Sequence, residues 1–427
     1  MLLQLRIVRD PPPEAWNRVR RYASWMHEVH VLEWSTLGED TFRVLRLNSP
    51  AGGWFPALQD LFWIITEHNL PHADLFFSPH LKEVTMNVSG SWGNTSIPRY
   101  VLSTITSILF ALPTSALQLL VIGIDGRGAP WADFKELFSS VVMRCGPSLT
   151  GFTSPAPLSD TAMNHLIQLP HLHTWSTGGP PPNSSPSSLS PVFPSLAQLT
   201  LRDGAACGWL PLLERLEHNV LTTKGVTPLS GMKESLRFLD VYNPSGCALN
   251  VSFTLPIQMF RNLISLNVQV CCRGGNARCG FELSDDDVAK LAIALPQLDS
   301  LFLGHPCFRN TCATTAICLL SISTYCVKLR YLEIHFNTTN IVDNLKTALE
   351  DPRFEALRSR PRCTLSCLEV HWLPLTLDES GFEMVADGMA DIFPSLERCE
   401  GASEYSGWRE LSERITVLRE VRTFPTS

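Results

Sequence analysis

Apolar residues recur along this chain in a six-position pattern, L-x-x-L-x-Φ, in which Φ is a large apolar side chain. Clear copies are Leu58-Leu61-Trp63, Leu81-Val84-Met86, Leu117-Leu120-Ile122, Leu196-Leu199-Leu201, Leu236-Leu239-Val241, Leu263-Leu266-Val268, Leu298-Leu301-Leu303, Leu329-Leu332-Ile334 and Leu365-Leu368-Val370. Looser copies stand at Met26-Val29-Val31, Leu149-Phe152, Leu172-Trp175 and Leu396-Cys399. Consecutive first positions are 23 to 40 residues apart, which overlaps and exceeds the roughly 20 to 29 of regular leucine-rich repeats. Within a copy the last two apolar positions flank a polar one, as in Leu239-Asp240-Val241 or Leu332-Glu333-Ile334. That is the period of a half-buried strand.

Between copies the period lengthens to that of a helix. Val288, Leu291, Ala292 and Leu295 share one helical face, with Ser284 or Asp285 placed to cap it. The stretch 159–169 has the same layout, and 311–323 and 378–392 read as further helices. Proline leads into several copies, as in Phe55-Pro56, Leu295-Pro296 and Phe393-Pro394. It ends the preceding helix and turns the chain into the strand.

A strand and then a helix, repeated, cannot bury its own leucines one unit at a time, so neighbours must stack. The predicted fold is α/β: a leucine-rich-repeat solenoid, or horseshoe, with a parallel concave sheet, helices on the convex side and irregular repeats. The pattern predicts one array over 1–427. Residues 1–25 form a strand and helix lead-in, with 1–8 read as the strand. Residues 178–191, rich in Pro and Ser, form a flexible loop whose composition cannot build a core. Residues 408–421 form a capping helix with Trp408, Leu411, Ile415 and Leu418 on one stripe.

Side chains that alternate with the core leucines must share the concave face. The candidate protein-binding residues are therefore Asp240, Tyr242, Asn267, Gln269, Glu333, His335, Glu369 and His371. His171 and His173 are read as outward strand residues, and Trp16, Trp25, Trp34, Trp54 and Trp63 as mostly core.

Composition narrows the partners. The chain is 44% hydrophobic and 18% charged, with a net charge of −7. Such a balance offers no broad basic field for nucleic acid. No run of apolar residues is long enough for a membrane-spanning helix, so the expected localisation is intracellular, cytoplasmic or nuclear. The 13 cysteines then read as reduced, buried apolar residues. Cys271, Cys272 and Cys279 lack the paired spacing of a zinc site.

Catalytic signatures are missing: the chain carries no nucleophile elbow, Walker loop, HExxH or dinucleotide fingerprint. The turn 123–128 has the glycines of a phosphate loop without its Lys-Ser/Thr, and the run Asp285, Asp286, Asp287 reads as a helix cap rather than a cation site. The expectation is a non-catalytic scaffold with no cofactor and no metal, whose partner is a target protein. An enzyme of unrecognised type is the distant alternative.

The opening Leu5-Arg6-Ile7, followed by Pro11-Pro12-Pro13-Glu14-Ala15-Trp16-Asn17-Arg18-Val19 and Tyr22-Ala23-Ser24, resembles the F-box/leucine-rich-repeat family of mushroom-forming fungi in the segment after the F-box. The repeats at 55–63, 193–201 and 295–303, and Leu283-Ser284-Asp285 before a helix, are similar to that family as well. The resemblance implies the substrate receptor of a cullin-RING ubiquitin ligase, in which an F-box holds the adaptor and the repeats hold the target. The F-box itself has no counterpart between Met1 and Ser427, so a cullin-ligase adaptor is an expected partner only if an F-box is encoded upstream. The alternative is a free-standing interaction or decoy protein with no ligase link.

Overall fold

The structure is a computed structural model that describes residues 11–31, 39–50, 53–66, 69–88, 99–124, 131–178, 193, 195–202, 234–243, 251–270, 282–304, 312–352, 363–370, 375–401 and 406–423. They belong to two compact units, Met1–Leu196 and Ala197–Ser427. Each copy of the six-position pattern supplies one strand. The first unit holds β1 (Glu28–Val31), β2 (Asp60–Ile65), β3 (Glu83–Val88), β4 (Leu119–Ile124), β5 (Gly151–Ser154) and β6 (Thr174–Gly178). The second holds β7 (Gln198–Arg202), β8 (Phe238–Asn243), β9 (Ser265–Val270), β10 (Ser300–Gly304), β11 (Tyr331–Ile334), β12 (Cys367–Val370) and β13 (Arg398–Gly401). Within each unit every strand pairs in parallel with the next in chain order. The class is α/β, built as a succession of strand-and-helix units.

Register converts the pattern into a core. Beyond the half-buried Val29 of the first strand, the fourth pattern positions stand side by side as Leu61, Val84, Leu120, Phe152 and Trp175 in the first unit. In the second they are Leu199, Leu239, Leu266, Leu301, Leu332, Leu368 and Cys399. None is more than 2% exposed, so no copy buries its leucines without its neighbours. Just ahead of the strands a second ladder fixes this register. The Arg237 carbonyl accepts the N–H groups of Ile264 (2.8 Å) and Ser265 (3.0 Å), and the Asp299 carbonyl those of Arg330 (2.7 Å) and Tyr331 (3.1 Å). Backbone polar groups beside a buried row are thereby paired from copy to copy.

The helices follow their caps. Ser284 opens the helix Asp285–Ala294 as a capping box with Asp287, and Val288, Leu291 and Ala292 are its buried face. Ser159 caps Asp160–Ile167, and the Asp378 carboxylate caps Glu379–Ile392 by accepting from the Gly381 N–H at 2.7 Å. Leu295 and Phe393, each preceding a proline, leave the helical region at φ −118°, ψ 61° and φ −125°, ψ 78°, as Cys326 does before Val327 at φ −100°, ψ 62°. The last helix, Ser406–Thr423, is longer than the expected 408–421; it buries Trp408, Leu411 and Ile415 and leaves Leu418 half-buried.

Two local expectations are corrected. The helix expected over 311–323 is instead Cys318–Tyr325. Thr314 donates its hydroxyl to the Leu283 carbonyl, while Thr315 gives its N–H and its hydroxyl to the Asp285 carboxylate at 2.7 Å each. These bonds tie the segment to the preceding copy and compete with helix formation there. Trp16, Trp54 and Trp63 are core, but Trp25 is 58% exposed. The helix Pro13–Ala23 ends two residues before Trp25, which stands edge-on to exposed Tyr22 at 5.9 Å with Arg21 over its ring. Trp34, the expected strand over 1–8, the loop beyond Gly178, the turn from Asp125 to Gly128 and the cluster Cys271, Cys272, Cys279 lie outside the described residues.

Candidate protein-binding face

In a strand that buries alternate residues, the remaining ones share the opposite face. In the second unit they line up in three rows set by the pairing. The first is Gln198, Phe238, Ser265, Ser300, Tyr331, Cys367 and Arg398; the second is Thr200, Asp240, Asn267, Phe302, Glu333, Glu369 and Glu400. A shorter third row holds Tyr242 and Gln269, and Gly304 beside Gln269.

Six of the eight residues expected on this face belong to these rows: Asp240, Tyr242, Asn267, Gln269, Glu333 and Glu369. All six are half-buried or exposed. His371 lies outside the described residues. His335 is a correction, for it is fully buried rather than facing outward. β11 ends at Ile334, and the next two residues, His335 and Phe336, are both buried, so the alternation stops with the strand. The His335 N–H donates to the Leu303 carbonyl at 3.1 Å, and Asn337 donates to the Thr314 carbonyl of the preceding copy at 2.8 Å. A methyl group on Gly304, whose φ is +124°, would stand 2.8 Å from His335 Cβ. His335 is therefore held close against Gly304 of the preceding copy and is closed off from solvent there.

Beyond the expected residues the rows also hold, among others, Phe238, Phe302, Tyr331 and Glu400. An apolar or aromatic side chain beside a core position can belong to either face by its type alone. The signal was present, since each lies two residues from an accepted position or in register with one.

The chemistry of the face is aromatic and acidic. Phe302 and Tyr331 stack with ring centroids 4.8 Å apart. The Tyr331 hydroxyl donates to the Glu369 carboxylate and lies 3.3 Å from Glu333 Oε2. Burial, and then the Glu369 carboxylate, hold the phenol protonated well above its ordinary range. Asp240 accepts from the Thr200 hydroxyl at 3.3 Å, and Asn267 hydrogen-bonds it from the next strand. Burial nevertheless wins over these bonds and raises the Asp240 carboxyl above its usual value. At the last strand Arg398 pairs with Glu400 at 3.1 Å and reaches the Cys367 sulfur at 3.4 Å.

The first unit has a corresponding face with Glu28, Asp60 and Glu83 in one row and His30, Phe62 and Thr85 in the next. His30 contacts Glu28 at 2.6 Å and lies against Phe62 at 5.5 Å.

Ahead of the strands of the second unit runs an open groove of about 450 Å³. Its bases are turned to neighbours: Arg330 to Asp299 at 3.3 Å, Arg237 to the Asn262 carbonyl at 3.1 Å and Lys328 to Gln297 at 2.6 Å. Among the described residues, no group of His, Cys, Asp and Glu is placed to hold a metal ion. No described helix is long and apolar enough to cross a membrane. Seven described cysteines are free and buried, and burial pushes the thiols of Cys145 and Cys326 up to about 12.

No protein-family profile matches this chain, and no curated protein matches it.

Proposed function

We propose that this protein is a non-catalytic leucine-rich-repeat scaffold that holds a target protein on the open faces of its strands. The observation that carries the reading is the register. Parallel strands bury a row of apolar side chains, leucine throughout β8 to β12, and they present on the other side rows that mix hydroxyl, amide, aromatic and carboxylate groups. A repeated structural layer with a varied surface is the usual division of labour in a recognition solenoid. Exposed rings such as Phe238 and Tyr242 are the residue types that anchor protein interfaces.

On the family resemblance, the finer proposal is the target-binding part of an F-box-type receptor, with the adaptor held by an F-box outside this sequence. The test is site-specific photocrosslinking. A photoreactive phenylalanine analogue at Tyr242 or Phe302, in the source cells, is expected to capture a protein, while the same group at exposed helix position Val417 is not. Adaptor and cullin among the co-purifying proteins would support the receptor. Their absence, with the target still captured by a chain carrying its native upstream sequence, would favour an interaction protein with no ligase link. Equal capture from the strand face and from Val417 would overturn the scaffold reading.

A further inference from the structure

We infer that the strand face from β8 to β12 docks an extended, arginine-rich segment of a partner protein. The inference rests on the scaffold reading and names the chemistry of its target. Three carboxylates, Asp240, Glu333 and Glu369, stand in the second row across these strands. Among the described residues of the three rows over β8 to β12 there is no lysine or arginine; at the edges, Arg202 of β7 is close enough to Asp240 to favour its ionised form, and Arg398 of β13 pairs with Glu400. The described positions of this stretch therefore carry acidic charge, and a cation is their complement.

Aromatic rings favour arginine over lysine as that cation. Phe238 and Tyr242 are each 42% exposed on the same face, and Phe302, stacked on Tyr331, stands between Asp240 and the two glutamates. A guanidinium is planar, stacks on such rings and forms paired hydrogen bonds to a carboxylate. A compact, strongly hydrated ammonium does less of each. Geometry sets the spacing. Asp240 and Glu333 are three strands apart, roughly 14 Å at ~4.8 Å per strand, and an extended segment covers that in about four residues. Glu333 and Glu369 are direct neighbours in register and share the Tyr331 hydroxyl, so a guanidinium would pair with the carboxylate oxygens that the phenol leaves.

The probe is a fluorescein-labelled peptide with arginine at every fourth position and serine and glycine between, titrated into the full chain and followed by fluorescence anisotropy. Two comparison peptides carry serine or glutamate in place of arginine. The arginine peptide is expected to bind, with affinity falling as salt rises, and the other two to bind at least about tenfold more weakly. The double variant Glu333→Gln with Glu369→Gln keeps an acceptor for Tyr331 and is expected to weaken arginine-peptide binding about tenfold. Phe302→Ala should weaken it at constant salt dependence. A thermal melt of each variant, matched to the parent, shows that the fold is retained. Equal binding of the arginine and serine peptides, or undiminished binding by the folded double variant, would overturn the inference. Photocrosslinking at Tyr242 to a neutral or acidic target segment would overturn it too, while leaving the scaffold reading in place.

Discussion

Trp408 occupies the space that Gly401 leaves empty. Gly401 holds the last apolar place in the final copy of the pattern, in register with Val370, and a methyl group built there would overlap the indole of Trp408. Trp408 is fully buried and meets Phe336 edge-on at 6.5 Å. Among the described residues no strand pairs with the outer side of β13, and the helix Ser406–Thr423 covers the core there with one large side chain. Ion pairs from Arg414 to Glu379 (2.7 Å) and from Arg422 to Asp391 (2.8 Å) lie between that helix and the preceding one. Trp408→Ala is expected to destabilise the chain by about 3 to 5 kcal/mol, the usual cost of emptying a buried aromatic site. Gly401→Ala should also destabilise, because the indole has to move. Urea melts measure both, and a Trp408→Ala midpoint equal to the parent's would refute the closing role.

Leu332 and Glu333 are adjacent and face opposite ways. Leu332→Asp places a carboxylate in a fully buried row with no partner, at a cost of several kcal/mol. Glu333→Gln changes a half-buried residue of the open face and is expected to leave stability within about 0.5 kcal/mol of the parent. Circular dichroism melts of the two variants give the comparison, and coincident curves would contradict the assigned register.

Asp240 supplies a pH test. Burial raises its folded-state pKa above the ordinary value of 3.8, so the folded chain binds this proton more tightly than the unfolded chain does. Ionisation of Asp240 therefore opposes folding above the folded-state pKa, and the opposition fades as pH falls through that value to below 3.8. Asp240→Asn keeps a hydrogen-bonding side chain beside Thr200 and Asn267 while removing the charge. It is expected to be more stable than the parent at neutral pH, with the advantage vanishing in acid. A stability difference that grows on acidification would reverse the sign and exclude burial as the cause.

The described thiols should be unreactive in the native state. Burial puts Cys145 and Cys326 at about 12 and Cys363 at about 11, and the thiolate is the reactive form. Iodoacetamide at mildly alkaline pH is expected to leave these three unmodified until urea unfolds the chain. Peptide mapping by mass spectrometry reads the result, and rapid native labelling of Cys326 would refute its burial.

The relation between pattern and fold follows from what each interaction depends on. Strand positions were legible because a buried row needs leucine or its like at a spacing of two, and every copy of the pattern became a strand, although His171 and His173, expected on one, are exposed residues ahead of β6, which starts at Thr174. Helix starts at Ser159, Ser284 and Asp378 were legible because a cap is a local side-chain-to-backbone bond. The missed start at Cys318 was not local. It depends on Asp285, thirty residues earlier, accepting from Thr315. Trp25 likewise looked like core by its type, while its exposure depends on where the helix Pro13–Ala23 ends and what packs beside it.

By itself the sequence determined the strand-and-helix alternation and the buried apolar positions of the repeated pattern, because period and apolar character act over a few neighbouring residues. Only the tertiary structure decided which open positions meet. Parallel pairing brings Tyr331 to Glu369 across 38 residues and stacks Phe302 on Tyr331. The close approach of Gly304 accompanies the burial of His335, although His335 continues the strand's alternation in sequence. Those contacts depend on the register between copies separated by irregular insertions, and the hydrogen bonds and buried rows that set this register form only once the copies are stacked.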